Sequence, residues 1–472
     1  MILCYKNYNI IIKMKKILVL IFINCFNILI NSPIPLRGIV EGFYGTPWTY
    51  EDRADLIKFS RRHHLNAYIY APKDDPYHRD KWRDPYPNDK IKELKNLISL
   101  SKENKVRFIF AVSPGLDLNY YGDKGTEDLN TLILKLDSLY EIGCRDFAIF
   151  FDDIDLQSDS GKNQAIFLNS LQDELNLKYS DINPIITVPT EYWRTSMVDQ
   201  KGNIKQYTKD FSTNLSKNII VLYTGEEVVG DGISDEDFKK ATDIYQRDLG
   251  IWWNYPVNDF LTTKRALGPI EKLPTSNVQS IFYNPMEQVQ LSKIALATGA
   301  EYAMSPDKYD SDDSWNRVIE EQFGELSSAM KVFALHSRHM ENSWAKVGPP
   351  DGPEFYEKAH QAVIDTRDKI LYDFTKVLNL IDEMENSAII LLEKLPSNIL
   401  DECKPQIRQF QRIAYADRIA VKSLQDLKLD PELKTLRQDI SNHENEAVIS
   451  EESAVKFIDE VLELFSKERF YN

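Results

Sequence analysis

Cysteine is scarce in this chain, with four in 472 residues. Cys4 and Cys25 fall in the N-terminal segment, and Cys144 and Cys403 stand far apart in the body. That excludes a disulfide framework and a cysteine zinc site. Histidine is also sparse, with seven, and none stands at metal-ligand spacing. His63-His64 lies in a basic helical stretch and is read as surface; His336 and His339 are placed on a later helix. No metal and no other cofactor is expected. Positive charge is in deficit: 57 Lys and Arg against 73 Asp and Glu leave a net charge of −16. This argues against nucleic acid and anionic membranes as partners, and mildly against polyanionic polymers as substrates. There is no internal repeat and no low-complexity linker.

The longest uncharged apolar run is also short. Lys13, Lys15 and Lys16 precede an apolar stretch at 17–30, interrupted by Asn24 and Asn27, that falls below the ~20 residues needed to span a bilayer. Residues 1–32 read as a signal peptide, with Met14 as an alternative start. Ile30-Asn31-Ser32 is not a small-x-small cleavage site, so an uncleaved anchor is the alternative, and Cys25 sits in a weak lipoprotein box. The expectation is export: periplasmic, secreted or membrane-anchored.

What the chain does have is a rhythm. Short apolar runs stand at 37–44, 67–70, 106–112, 147–151, 185–188, 219–223, 251–253 and 280–283. Amphipathic, helix-like stretches lie between them at 49–64, 89–105, 127–142, 162–179, 235–247 and 287–298; the gaps after the fifth and seventh runs are less regular. Such alternation over 36–315 predicts an α/β fold, a (β/α)8 TIM barrel. An open doubly wound sheet is the runner-up, weakened because Glu41-Gly-Phe-Tyr-Gly45 lacks the spacing of a Gly-rich phosphate loop. Beyond 306 the pattern changes. Ile370, Phe374, Val377, Ile381 and Met384 form one helical stripe; Ala454, Phe457, Ile458, Val461, Leu462 and Phe465 form another. Breaks are expected at Gly348-Pro-Pro350, Pro396 and Pro405. Residues 320–472 therefore read as a C-terminal all-α helical bundle beside the barrel, a scaffold without substrate contact.

The centre of the chain is Phe147-Ala-Ile-Phe-Phe-Asp-Asp-Ile-Asp155. A run apolar on both faces is a strand buried on both sides, and Asp152 and Asp153 cannot be buried at its end without a reason. Adjacent carboxylates repel, so one is expected to hold its proton to higher pH, which lets one site keep an acid and a base. The competing reading is a strand that ends in a solvated acidic turn.

Barrel chemistry sits at the C-terminal ends of the strands. Those ends carry Glu41-Gly-Phe-Tyr-Gly-Thr-Pro-Trp48, Pro72-Lys-Asp-Asp-Pro-Tyr77, Pro189-Thr-Glu-Tyr-Trp193, Tyr223-Thr-Gly225, Trp252-Trp-Asn-Tyr-Pro-Val-Asn-Asp259 and Tyr283-Asn-Pro285. Aromatic faces stack on sugar C–H surfaces, while amides and carboxylates take sugar hydroxyls. Plainer roles compete: one of Trp252 and Trp253 faces the helical shell, Lys73 neutralises Asp74 and Asp75, and Asn254 and Asn284 cap turns.

Adjacency also bears on mechanism. Two-carboxylate glycosidases bracket the anomeric carbon at ~5–5.5 Å or ~6.5–9.5 Å, which neighbours on one strand end do poorly. They can act side by side, one protonating the glycosidic oxygen and the other holding a substrate acetamide that attacks in its place.

Arg37-Gly-Ile-Val-Glu-Gly-Phe-Tyr-Gly-Thr-Pro-Trp48, Tyr68-Ile-Tyr-Ala-Pro-Lys-Asp-Asp-Pro-Tyr-His78, Phe150-Phe-Asp-Asp153 and the 252–259 segment resemble, in matching order, glycoside hydrolase family 84. That family holds the O-GlcNAcases and related β-N-acetylglucosaminidases, some called hyaluronidases. The resemblance covers roughly residues 36–430. It implies a (β/α)8 barrel and retaining, substrate-assisted cleavage through an oxazoline-type intermediate, without a metal. By position it implies that Asp152 orients the acetamide and Asp153 is general acid and then base. Tyr192 would hydrogen-bond near the acetamide, and Trp252 would form part of the sugar pocket. Gly42, Lys73, Asn254, Asp259 and Asn284 would bind hydroxyls, Gly42 through its backbone. Thr224 is a weaker transfer, because Tyr223-Thr-Gly stands where the family often has Trp-Thr-Gly. The small α/β domain that bacterial members often carry before the barrel is not expected here. In the family the helical region lies near the active-site mouth.

The leading expectation is thus an exo-acting β-N-acetylglucosaminidase of the O-GlcNAcase type, acting on β-N-acetylglucosaminides of glycoproteins or glycans. An endo-acting, hyaluronidase-like relative is the alternative, separable by product size from a defined polymer. A magnesium enzyme using Asp152, Asp153 and Asp155 lacks a phosphate cradle and would be sensitive to chelators. A non-catalytic sugar-binding protein would not need both carboxylates.

Overall fold

The computed structural model describes residues 32–467; the leader expected over 1–32 lies outside them except for Ser32. Eight parallel strands close into a barrel: β1 (Leu36–Glu41), β2 (Ala67–Tyr70), β3 (Arg107–Val112), β4 (Asp146–Phe150), β5 (Ile186–Val188), β6 (Ile220–Tyr223), β7 (Gly250–Trp253) and β8 (Ser280–Tyr283). Closure comes from β1 pairing with β8, Leu36 opposite Ser280 through Ile39 opposite Tyr283. Side chains alternate along each strand. Val40, Ile69, Phe150, Leu222, Trp252 and Phe282 pack inside the barrel, while Ile39, Tyr68, Ile149, Tyr223, Ile251 and Trp253 pack outward against the helices. Trp252 therefore faces the interior and Trp253 the shell, the division expected from their adjacency.

Helices follow most strands. Tyr50–Arg62 starts at Thr49, whose side chain accepts from the Asp52 amide while Asp52 reaches back to the Thr49 amide, a reciprocal cap that satisfies two orphan donors. Asn88–Glu103, Gly122–Glu141, Ser160–Lys178, Asp235–Tyr245 and Val289–Met304 occupy the other expected places. The irregular gap after β5 holds a four-residue turn of helix, Arg194–Met197, and the helix Gln206–Asn214. The gap after β7 holds no helix among the described residues. None of the described helices is long and apolar enough to cross a membrane.

The barrel runs into the helical region without a linker, because the helix Ser311–Phe323 crosses 315–320 and Trp315 donates its indole N–H to the Leu267 carbonyl (2.7 Å). The C-terminal part contains Ser327–Leu335, Pro353–Arg367, Thr375–Lys394, Ser397–Gln425, Glu432–Asn442 and Lys456–Lys467. It departs from expectation in four places. It is not wholly helical: β9 (Met340–Glu341) and β10 (Lys346–Val347) form an antiparallel hairpin. Ile370 lies beyond the end of Pro353–Arg367 and is exposed, while Val377, Ile381 and Met384 of the same stripe are buried. The stripe thus begins later than its spacing suggested. Pro405 does not break the chain but sits inside Ser397–Gln425. An interior proline costs about 3 kcal/mol. The burial of Cys403, Ile407, Phe410 and Ile413 on the same helix offsets it, and that turn is fixed to the barrel. Arg265 Nε donates to the Glu402 carbonyl (2.8 Å), and the Glu402 carboxylate accepts from the amides of Gln290 (3.0 Å) and Leu291 (2.9 Å).

The histidines differ too. His336 caps the end of Ser327–Leu335 rather than lying within a helix, and buried His339 follows it in the approach to β9. His339 Nε2 faces Glu341 (2.9 Å) and Glu452 (3.5 Å), and Lys346 lies on the same Glu341 carboxylate (3.0 Å). This charge cluster ties the hairpin to the turn before the last helix.

Candidate active site

β4 ends at Phe150, and the Phe151 amide still reaches the Val188 carbonyl (2.8 Å). Asp152 and Asp153 come next. Continued as a strand, they would point to opposite faces. Asp153 instead adopts φ +55°, a left-handed conformation that Asp tolerates better than most residues. Both carboxyl groups thereby line one cavity of about 500 Å³. The solvated acidic turn is excluded for Asp152, which is buried.

The two carboxylates have different surroundings. Asp152 Oδ2 is paired with the Nζ of buried Lys73, delivered from the end of β2. Its Oδ1 is buried with no hydrogen-bond partner among the described residues. Lys73 is therefore not spent on its neighbours: Asp74 accepts from the Gly45 amide (2.9 Å), and Asp75 from the hydroxyls of Tyr70 (2.6 Å) and Tyr86 (2.9 Å). Asp153 accepts from two phenols, Tyr44 at Oδ2 (2.7 Å) and Tyr192 at Oδ1 (3.0 Å). Burial first, then the charge of Asp153, pushes both phenols above their ordinary pKa, so both stay protonated donors. Arg79 braces the arrangement, one nitrogen on the Tyr44 hydroxyl (2.8 Å) and one on the Asp153 carbonyl (3.1 Å).

The opposite wall is a web of amides. Trp252 Nε1 and Asn284 Nδ2 both donate to Asn254 Oδ1 (2.8 and 3.0 Å), and Asn254 Nδ2 donates to the Val228 carbonyl (2.8 Å). The Gly42 amide reaches Asn284 Oδ1 at 3.3 Å. Any side chain at Gly42 would collide with the indole, since a Cβ there lies 2.3 Å from Trp252 Cζ2. The Asp259 carboxylate accepts from the Tyr44 amide (2.9 Å), and burial raises its pKa. Thr224 lines the cavity, but its hydroxyl donates to the Glu227 carbonyl (3.1 Å), which makes it a turn-forming residue as well.

Gly42, Lys73, Asp152, Asp153, Tyr192, Thr224, Trp252, Asn254, Asp259 and Asn284 all line this one cavity. Asp155 does not; it is exposed and lines a neighbouring one. A metal triad of Asp152, Asp153 and Asp155 is therefore not assembled, and Lys73 already supplies the cation on Asp152.

Sequence reasoning missed Tyr44, Trp193, Phe260 and Trp344 as lining residues. Tyr44 lies in the 41–48 segment at the end of β1, and that position was its signal. Trp344 corrects the scaffold reading of the C-terminal region. It stands in the turn between β9 and β10, half-exposed, with its ring 5.3 Å from that of Phe260.

A family model described as beta-N-acetylglucosaminidase matches residues 37–335, more than half of the chain. The chain belongs to this family, glycoside hydrolase family 84. A second model, a hyaluronidase post-catalytic domain-like region, matches 365–458. The chain is similar to the protein O-GlcNAcase of Mus musculus, 34% identical over 281 residues, 57% of this chain and 30% of that protein. The Rattus norvegicus protein O-GlcNAcase is 33% identical over 279 residues, with the same shares covered. The chain thus spans less than a third of the length of these curated relatives. Among solved structures, CpGH84B superposes with a TM-score of 0.85 at 37% identity, covering 91% of this chain and 77% of that one. A mutant of the Thermobaculum terrenum O-GlcNAc hydrolase superposes with a TM-score of 0.80 at 27% identity, covering 91% and 94%. The family 84 match reaches Leu335, so it takes in the helices that adjoin the barrel as well as the barrel itself.

Proposed function

We propose that this family 84 chain is a retaining glycoside hydrolase that removes terminal β-linked N-acetylglucosamine, an O-GlcNAcase-like β-N-acetylglucosaminidase working through its substrate's own acetamide. The observation that carries this reading is the buried, unpartnered Oδ1 of Asp152 beside Asp153 at one cavity. A buried carboxylate oxygen without a donor is costly, and an acetamide N–H supplies the donor.

Lys73 holds Oδ2, leaving Oδ1 to accept the acetamide N–H. The acetamide carbonyl oxygen then forms a bond to the anomeric carbon as the glycosidic C–O bond breaks, and Asp153 gives its proton to the leaving oxygen. Charge developing on the new ring is stabilised by the Asp152 carboxylate. Water next attacks the anomeric carbon from the vacated side, Asp153 takes its proton, and the ring opens back to the acetamide with net retention. In this reading Tyr192 hydrogen-bonds near the reacting acetamide. Trp252 provides a wall for the sugar, and Gly42, Asn254, Asp259 and Asn284 provide groups for its hydroxyls, with Thr224 at the edge.

An endo-acting hyaluronidase-like activity is the second reading. Asp259 in this cavity and Asp155 in the neighbouring one repel a polyanionic chain and favour the first. The charged leader also supports a proposal of export, which N-terminal sequencing of the mature protein would test. The decisive experiment is hydrolysis of an aryl β-N-acetylglucosaminide by the wild type, Asp152→Asn and Asp153→Asn. Turnover by the wild type, near-complete loss in Asp152→Asn and a smaller loss in Asp153→Asn that shrinks as the leaving phenol becomes more acidic are expected; an inert wild type would overturn the reading.

A further inference from the structure

The helices Gly122–Glu141 and Ser160–Lys178 follow β3 and β4, so their first turns stand on the barrel rim that also carries the catalytic cavity. Between them lies a separate cavity of about 190 Å³, which shares no lining residue with the first. Tyr121 stands at its edge. The ring is 67% exposed, yet it is held in place, because its hydroxyl donates to Asn163 Oδ1. A ring that is fixed without being packed offers an open face. Behind it Tyr120 and Phe167 meet edge to face, their ring centres 6.2 Å apart, and give the cavity an aromatic floor.

Asn163 is the polar counterpart. It is only 6% exposed and lines the cavity. The bond from Tyr121 fixes its amide plane, and its Nδ2 makes no hydrogen bond among the described residues. A nearly buried amide donor left unpaired is costly, and a ligand hydroxyl would accept from it. Ser170 adds a hydroxyl to the same wall. Charge is absent. Charged residues make up 28% of the chain, and none lines this cavity. A phosphate, a carboxylate or a metal ion would find no counter-charge there. A wholly apolar ligand would leave the Asn163 donor unpaired. A ring with an apolar C–H face, hydroxyls at its edge and no net charge satisfies every wall.

We propose that this cavity is a second, non-catalytic binding site for a neutral pyranose, with Tyr121 as its stacking face and Asn163 as a donor to a ring hydroxyl. The proposal uses none of the chemistry at Asp152 and Asp153. Its place on the same rim suits a further sugar of a glycoconjugate docked at the catalytic cavity.

The test is an NMR titration of the full chain with methyl α-glucopyranoside and methyl α-glucuronide, whose α linkages a β-specific site does not cut. The glucoside is expected to bind with a dissociation constant on the order of 1–10 mM. The glucuronide should bind at least about tenfold more weakly, because its carboxylate is desolvated without a partner. Tyr121→Ala should weaken glucoside binding about tenfold through loss of the stacking face. Asn163→Asp, which keeps an acceptor for Tyr121 but removes the donor, should weaken it by a similar factor. Both variants should keep kcat and KM on an aryl β-N-acetylglucosaminide within about twofold, because neither residue lines the catalytic cavity. That turnover also reports folding, and Tyr121→Ala, at an exposed position, carries the test if Asn163→Asp folds poorly. The proposal is overturned if the wild type binds neither sugar, if it binds both equally, or if glucoside binding survives Tyr121→Ala. A wild type inert on the aryl glycoside would remove the glycosidase reading and leave this site to be judged by the titration, with folding read from the melting temperature.

Discussion

Asp152 in the barrel and Asp417 in the C-terminal region are both buried aspartates with unsatisfied oxygens, and they differ in everything else. Asp152 has a cation on one oxygen, a cavity in front of the other and a second carboxylate beside it. Asp417 sits on the inner side of the helix Ser397–Gln425 with neither oxygen partnered among the described residues, and burial pushes its pKa well above the ordinary carboxylate range. An orphaned buried polar atom is not in itself a sign of function. It becomes one where a fixed counter-charge sits on the group and a cavity lets a ligand supply the missing donor. The barrel's other buried acid at the β1 end shows the satisfied case. Glu41 takes Arg53 at 2.8 and 2.9 Å, the Trp48 amide at 3.2 Å and the Tyr68 hydroxyl, and so fixes the loop that carries Gly42 and Tyr44.

The comparison is sharpest at Asp152. Asp152→Asn should lower kcat/KM about a thousandfold on every substrate, whatever the leaving group, because the acetamide loses the charge that stabilises its cyclisation. Asp152→Ala should add a loss of about 3–5 kcal/mol in folding stability, because Lys73 is left buried and unpaired. Chemical denaturation alongside kinetics separates the two effects. Asp153→Asn should cost on the order of 10²–10⁴ on poor leaving groups and much less on aryl glycosides with acidic phenols, which need little proton donation. A plot of rate against leaving-group pKa for the wild type and variant checks this.

Asp417 provides the opposite test. Its folded pKa is raised, so its contribution to stability is full below the unfolded value and is lost as pH rises toward the folded one. The Asp417 contribution should therefore fall from pH 5 to pH 8, set against a rising one from His78 and His336, which burial keeps neutral. Asp417→Asn should flatten that slope and gain about 1–3 kcal/mol at pH 8, with activity unchanged, measured by urea denaturation at the two pH values. The smallest effect is expected at Trp344→Ala. Loss of a half-exposed ring at the mouth should raise KM two- to fivefold and leave the melting temperature within a degree or two.

How far the sequence could be read follows the same physics. Strands buried on both faces must be apolar throughout, so β2 and β8 were legible to the residue, and the acidic interruption after Phe151 stood out because such strands cannot hide carboxylates. Period-two alternation was enough to split Trp252 and Trp253 between the two faces, and the family resemblance, not the period, implied that Trp252 is the inward one. The left-handed turn at Asp153 was not legible. Asp is common in ordinary turns, and nothing in its type announces φ > 0, yet that torsion is what brings neighbouring acids to one cavity. Trp344 escaped for another reason. Its hairpin has two residues per strand, too short for a period, and it belongs to a region whose helical stripes dominate the pattern. Pro405 misled because a helix break is the cheaper local outcome. The contacts that outweigh it join Arg265 to the Glu402 carbonyl and Gln406 to the Thr263 carbonyl, each across more than a hundred residues of chain.

The account's central claim is that the bound sugar supplies its own nucleophile. The most direct measurement is the rate of the wild type on aryl glucosaminides whose acetyl group carries none, one, two or three fluorines. A steady fall in kcat/KM with each fluorine is expected, because the withdrawn electron density weakens the attacking carbonyl oxygen. A rate that stays level across the series would contradict the claim.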